Sequence, residues 1–389
     1  MTVLEREPAA AASATPGATV VDSARTISPI LARQAAEHDS ADSFVSDGYD
    51  LLREAGLIEA GVPAELGGGD ASLRELCDML RILAHGCSST ALAFSMHTHQ
   101  VAIPAWRWRH QPAARAAVEP LLRRIAAERI VLLSSGGSDW IGGSGRAERV
   151  DGGWRVTGRK VFTSGAPAGN LLMTGAIGED ETGPVVLHFG VPMNAPEVSL
   201  LDTWRVLGMR GTGSQDVMIE GHIVPDARVA FKRKAGEWHP VFQIIATTAF
   251  PLIYSVYLGI AESARDIAVG LARGRAPSVR TRSIAGRLDT ALAAARMAQR
   301  SMVEAAERNA PGAESVNDVM IGRRLVEENA IRAVELAMEL AGGAGFYREA
   351  GLERRFRDVQ AARFHPLQKE AQAEYAGAMA LGQPIDTIW

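Results

Sequence analysis

The stretch GWRVTGRKVFTSG, residues 153–165, sets Trp154 and Val156 against Arg155 and Thr157. Alternation of this kind turns one face inward and is the period of a strand. Asp151 and Gly152 precede it, and an Asp-Gly-Gly run supplies the positive φ angles that a tight hairpin needs. Similar runs flank it: RIVLLSS (129–135), NLLMTGAI (170–177), PVVLHFGV (184–191) and DVMIEGHIV (216–224), separated by Gly, Asp and Asn. They predict a compact β domain over residues 125–230, in which the strands stop after Pro225. On both sides the period becomes helical. DSFVSDGYDLLREAGL (42–57) and SLRELCDMLRILAHGC (72–87) place apolar residues at helical spacing with Asp or Ser near each start, which predicts an N-terminal helical domain over 23–124. Residues 231–389 are helical again and rich in alanine, as in TALAAARMAQRSMVEAAERN (290–309). Small-residue faces let long helices pack closely in a bundle. Residues 1–22, dominated by Ala, Pro, Thr and Ser, offer little to bury and are expected to form a flexible tail.

The chain has 389 residues, 47% of them hydrophobic, enough for two or three packed units. A net charge of −4 gives no basic footprint for nucleic acid. The two cysteines, Cys77 and Cys87, form no disulfide framework or Cys-x-x-Cys site and read as core thiols. No apolar run approaches the roughly 18 residues of a membrane span, and the N-terminus lacks a signal-peptide pattern. The expectation is a cytoplasmic protein without membrane partners. His97 and His99, two residues apart on a helix, point to different sides. They are expected to be wall or core residues of a pocket, and no metal site is predicted.

Four segments together resemble the acyl-CoA dehydrogenase superfamily: GVPAELGGGDASL (61–73), GWRVTGRKVFTSG (153–165), LGMRGTGSQDVMIEGHIVP (207–225) and AMELAGGAGFYREAGLERRFRD (337–358). They follow the family's order on a helix, sheet, helix layout. The resemblance implies an α+β, mainly α fold: an N-terminal helical domain, a central β-barrel domain and a C-terminal four-helix bundle. It also implies FAD, with FMN as the alternative, between sheet and bundle, and a homodimer or homotetramer whose neighbouring subunit completes the site. By the same resemblance Phe162 takes the place of the family's tryptophan against the flavin ring. Thr163 and Ser164 follow it, Ser164 replacing the threonine near flavin N5. A flat aromatic packs on an isoalloxazine, and a hydroxyl can exchange hydrogen bonds with a nitrogen whose protonation follows redox state. Leu133 and Ser134 of LLSSGGSDW (132–140) would be flavin-side residues and Ser138 would face the substrate. Gly342 and Gly343 match a glycine segment that approaches the cofactor of the partner subunit. Arg273, with Arg275, matches the region of a pyrophosphate-binding arginine.

The sequence departs from the dehydrogenase pattern where chemistry is done. The family's catalytic glutamate would fall at Pro366, counted from Arg357 and Asp358, or near Ala249 and Phe250. None of these is a carboxylate. Without a base at the α carbon, dehydrogenation loses a factor of roughly 10²–10⁴. The monooxygenase branch of the superfamily carries a histidine at the position of His365 and a segment like FTSG (162–165). The resemblance to that branch implies a two-component enzyme, fed reduced flavin by a reductase and working through a C4a-hydroperoxyflavin on an aromatic or heteroatom-bearing small molecule. In it His365 would titrate near neutrality as acid and base, and Ser164 would partner N5. Two alternatives stand. One is an acyl-thioester dehydrogenase passing electrons to an acceptor protein, with Glu370 or Glu374 as a substitute base. The other is an inactive binding scaffold.

Overall fold

A computed structural model describes residues 18–136, 140–276 and 278–385. Five helices come first: α1 (Val20–Ala41), α2 (Ser46–Glu54), α3 (Leu73–Gly86), α4 (Ser88–His110) and α5 (Arg115–Glu128). α1 begins inside the segment expected as tail, because the Thr19 hydroxyl accepts from the Asp22 amide and closes a capping box. α3 opens the same way, with Ser72 and Glu75 satisfying each other's backbone amides. α4 is buried on every side from Ser88 to His99. With no polar face it lacks an amphipathic stripe, and it runs through the interior as the central post of the N-terminal domain.

Eight strands follow: β1 (Leu132–Ser134), β2 (Arg146–Val150), β3 (Gly153–Thr163), β4 (Leu171–Asp180), β5 (Gly183–Pro192), β6 (Val198–Leu201), β7 (Gln215–Pro225) and β8 (Phe231–Lys234). They form one sheet in the order β6-β7-β3-β2-β4-β5-β8, and β1 lies parallel to β4. The β2–β3 hairpin turns where expected, Val150 facing Gly153 and Gly152 at φ +70°. β8 corrects the expectation that strands end at Pro225: residues 231–234 pair antiparallel with β5 at Val185–His188.

The C-terminal part holds three long helices, α6 (Val241–Arg273), α7 (Val279–Glu307) and α8 (Ala313–Ala341), then α9 (Leu352–Val359) and α10 (Lys369–Leu381). α6, α7 and α8 pack on one another, and α10 against α8, giving the expected bundle. The expectation that no segment is apolar enough to cross a membrane needs correction. α6 meets that test by length and composition, with a mean hydropathy of 1.7 over its most apolar window, but 94% of that window is buried inside the protein. Its apolarity serves a core helix touched by α3, α4, α7, α8 and α9. One continuous hydrophobic core joins all three parts.

Candidate active site

A cleft of about 900 Å³ opens where α4, the loops at the ends of β1 and β3, α6 and the segment after α9 meet. Ser134, Phe162, Ser164 and His365 all line it. So do Ala249, Phe250 and Pro366, the three places where a dehydrogenase base was sought.

Phe162 reaches the cleft through a bulge. β3 pairs with β7 at Lys160↔Val217 and next at Thr163↔Gln215, so two residues of β3 oppose one of β7. Such a bulge re-aims a side chain. Phe162 takes φ +54°, an unfavourable region for a bulky residue, and its ring stays 57% exposed. Trp204 supports it edge-on at 5.9 Å. Gly136 crosses so close that a Cβ there would stand 2.8 Å from Phe162 Cβ.

Ser164 lies at the start of a run of hydroxyls: its Oγ is 2.7 Å from Ser214 Oγ, which is 2.7 Å from Thr212 Oγ1. His365 Nε2 lies 2.6 Å from the Tyr257 hydroxyl. The backbone around His365 is held by a buried arginine of α8: Arg323 donates to the His365 carbonyl at 2.7 Å, with Glu327 at 3.1 Å and the Tyr254 ring 5.1 Å away. Burial, then the Arg323 charge and His99, push the His365 imidazole down to about 3. The expectation of a histidine titrating near neutrality is therefore corrected: His365 is a neutral imidazole. Burial also holds the Tyr257 phenol well above its ordinary value. Its buried O–H finds an acceptor if His365 Nε2 is unprotonated, which places the histidine's proton on Nδ1.

The two α4 histidines divide as expected. His97 is a core link, Nε2 to the Ile58 carbonyl at 2.8 Å and Nδ1 accepting from the Leu132 amide at 3.0 Å. His99 lines the cleft, with Nδ1 donating to the Ser95 carbonyl at 3.0 Å. Burial pushes it down to about 4, so its Nε2 carries a lone pair at neutral pH. No group of three metal-ligating side chains occurs among the described residues.

The remaining site expectations fall elsewhere. Leu133 points into the core, where Gly169 and Gly165 make room for it. Thr163 is fully buried beneath the bulge. Alternation along β1 and β3 turns both side chains away from the cleft that Ser134 and Phe162 face. Arg273 is exposed at the end of α6. Arg275 instead closes the C-terminus of α8, donating to the Leu340 carbonyl at 2.8 Å and to that of Ala341. Gly342 and Gly343 follow that helix end, outside the cleft, and a Cβ on Gly343 would meet nothing. Ser138 lies outside the described residues. Glu370 and Glu374 are exposed on α10 and do not line the cleft.

The Arg357–Asp358 pair proves to be structural. Buried Asp358 accepts from the Met209 amide at 2.5 Å and from the Ser88 hydroxyl. Arg357 binds Asp39 at 2.6 Å and Glu353 at 2.7 Å. The pair thus ties α9 to α1, α4 and the loop that floors the cleft.

Two family descriptions match this chain: the N-terminal domain of acyl-CoA dehydrogenases over residues 20–121 and the C-terminal domain over 252–370. An L-evernosamine nitrososynthase from Micromonospora sp. is 32% identical, with 95% of this chain and 91% of that protein aligned. The chain belongs to the acyl-CoA dehydrogenase superfamily. Among solved structures, a nitrososynthase from Micromonospora carbonacea var. africana superposes with a TM-score of 0.84 at 28% identity, covering 93% of this chain and 96% of that one. KijD3, solved with FMN and dTDP-3-amino-2,3,6-trideoxy-4-keto-3-methyl-D-glucose, gives 0.84 and 28% over 94% of each chain. This superfamily consists of flavin-dependent oxidoreductases with the helix, sheet, helix layout described above, and its monooxygenases and nitrososynthases are among the relatives of this enzyme.

Proposed function

We propose that this superfamily member is a two-component, reduced-flavin-dependent monooxygenase that oxygenates the nitrogen of an amine on a small polar molecule, of the nucleotide-linked amino-sugar class. One observation carries the reading. Among the described residues lining the cleft there is no carboxylate, and the positions where a dehydrogenase base would stand are Ala249, Phe250 and Pro366, all facing the cleft. Abstraction of an α proton from an acyl thioester has no base there. The L-evernosamine nitrososynthase among the relatives, and KijD3 bound to a dTDP-linked amino sugar, support the choice of substrate class.

The cleft fits a flavin. It has the volume for a ring system, the exposed Phe162 as a flat platform, and Ser164 beside it. When bound, reduced flavin supplies the activation of oxygen. The chain's own residues do the rest. Phe162, backed by Trp204, would hold one face of the ring. Ser164 would offer its hydroxyl to the ring edge. His99 Nε2, 3.5 Å from the Gln100 side-chain nitrogen, would accept an N–H of the substrate, and His365, its Nε2 held by Tyr257, would have Nδ1–H to donate. Leu92, Met96, Ile245 and Ile253 keep the surroundings apolar and exclude water. Arg357 is the one cation among the described lining residues, and two carboxylates hold it. The flavin phosphate is accordingly assigned to cations of a second copy of the chain, which favours a homodimer or homotetramer. A cytoplasmic reductase is the source of reduced flavin.

The test supplies anaerobically reduced FMN or FAD, then oxygen, with a dTDP-linked amino sugar. Gain of one oxygen atom at nitrogen, read by mass spectrometry, is expected. Reduction of the bound flavin by an acyl-CoA panel, without oxygen transfer to the amine, would overturn the proposal in favour of dehydrogenation.

A further inference from the structure

The hydroxyls at the inner end of the cleft have a direction. Ser164 Oγ lies 2.7 Å from Ser214 Oγ, and Ser214 Oγ lies 2.7 Å from Thr212 Oγ1. Thr212 Oγ1 in turn donates to the Met209 carbonyl at 2.9 Å. All three side chains are buried, Thr212 completely, and each hydroxyl owns a single proton. A carbonyl only accepts, so the Thr212–Met209 contact is made when Thr212 donates its proton. With that bond made, Thr212 accepts from Ser214, and Ser214 from Ser164. The outcome is a serine whose proton points away from the cleft and whose remaining lone pair points into it. In the reverse order the Met209 carbonyl would keep the Thr212 amide and the Trp204 indole but lose the shortest of its three donors. That order would turn the Ser164 proton toward the ligand.

We propose that Thr212 and Ser214 are positioning residues which hold Ser164 as a hydrogen-bond acceptor, so that the site selects reduced flavin, whose N5 carries a hydrogen, over oxidised flavin, whose N5 carries only a lone pair. This rests on the flavin reading above and adds the residues, Thr212 and Ser214, that set the preference for the reduced form. It also bears on the two chemistries, since a donor at this position would favour oxidised flavin. The GTGS run (211–214) and the TSG run (163–165) lie on different strand ends, and the register of β3 with β7 brings them together.

The experiment measures dissociation constants for oxidised FMN and, anaerobically, for reduced FMN in the full chain and in three variants. The unaltered protein is expected to bind reduced FMN about 10-fold or more tighter. Thr212→Val frees the Ser214 proton to turn toward Ser164 and the Ser164 proton to turn toward the cleft. The preference should fall about 5- to 10-fold, mainly through tighter binding of oxidised FMN, and the midpoint potential of the bound flavin should drop by about 20 to 30 mV. Thr212→Ser keeps the hydroxyl and should retain the unaltered ratio, which separates a loss of direction from a loss of packing. Ser214→Ala, which interrupts the chain one step nearer the cleft, should behave like Thr212→Val and serves if that variant does not fold. An unaltered protein that prefers oxidised FMN, or a ratio unmoved in both Thr212→Val and Ser214→Ala, would overturn the assignment and leave the flavin reading standing. Binding of neither redox form would overturn both.

Discussion

His365 shows how an environment changes a residue's work. As a free imidazole it would titrate near pH 6.5, and its place in the sequence invites the role of a proton-transferring base. Burial and the neighbouring guanidinium of Arg323 push it down to about 3, so at neutral pH the ring is uncharged and keeps one hydrogen-bond direction. Tyr257 sets that direction from 108 residues away in sequence, with a 2.6 Å contact. Tyr257→Phe would remove the donor and leave Nε2 without its partner. The expected cost is about 1–3 kcal/mol of stability, read from the urea midpoint. A ¹⁵N spectrum of the histidines should show one Nδ1–H tautomer for His365 in the unaltered protein and a mixture in the variant. A single unchanged tautomer in both would mean that Tyr257 does not hold it.

At the scale of elements, the sequence made the local structure legible and left the cross-links hidden. The capping boxes of α1 and α3 and the β2–β3 turn are written in neighbouring residues. β8 was missed because four residues rich in charge, FKRK, lack an apolar period of their own. They become a strand only by pairing with β5. Of the site, Ser134, Phe162, Ser164 and His365 were legible through motif position. Trp204, Tyr257, Ser214 and Arg323 were not, since each meets its partner across 42 residues or more. Arg323 is the clearest case. It reads as one charge on an amphipathic helix, yet it is completely buried and anchors the segment that bears His365. Removing it alone, as Arg323→Met, leaves Glu327 buried with only Arg324 beside it. A loss of about 3 kcal/mol is expected. The double variant Arg323→Met with Glu327→Leu should recover part of that loss in a denaturant titration. A double variant less stable than the single one would show that the pair stabilises the fold outright.

For the molecule as a whole, four histidines tie its stability to pH. Burial holds His97 and His99 down to about 4, and His188 and His365 down to about 3. Each has a backbone or side-chain partner suited to the neutral ring: His97 bridges Ile58 and Leu132, and His188 accepts from Arg233 at 3.1 Å while stacking on Phe231 at 4.2 Å. In the unfolded chain these rings take up protons below about pH 6.5. In the folded chain they resist until about 4 or 3, so across that window the unfolded state binds more protons. The stability they contribute is fully present above pH 6.5 and is lost as pH falls toward 4 and then 3. Asp358 acts in the opposite sense, because burial raises its carboxyl and its protonation favours the folded state. It is one group against several, for His110 and His239 are lowered as well, and its window lies nearer the carboxylate range. The urea midpoint is therefore expected to fall steadily from pH 7 to 5, with a slope that corresponds to an uptake of about two or more protons on unfolding. A midpoint that stays level over that interval would mean that water reaches these rings, and with them the α4 wall of the cleft.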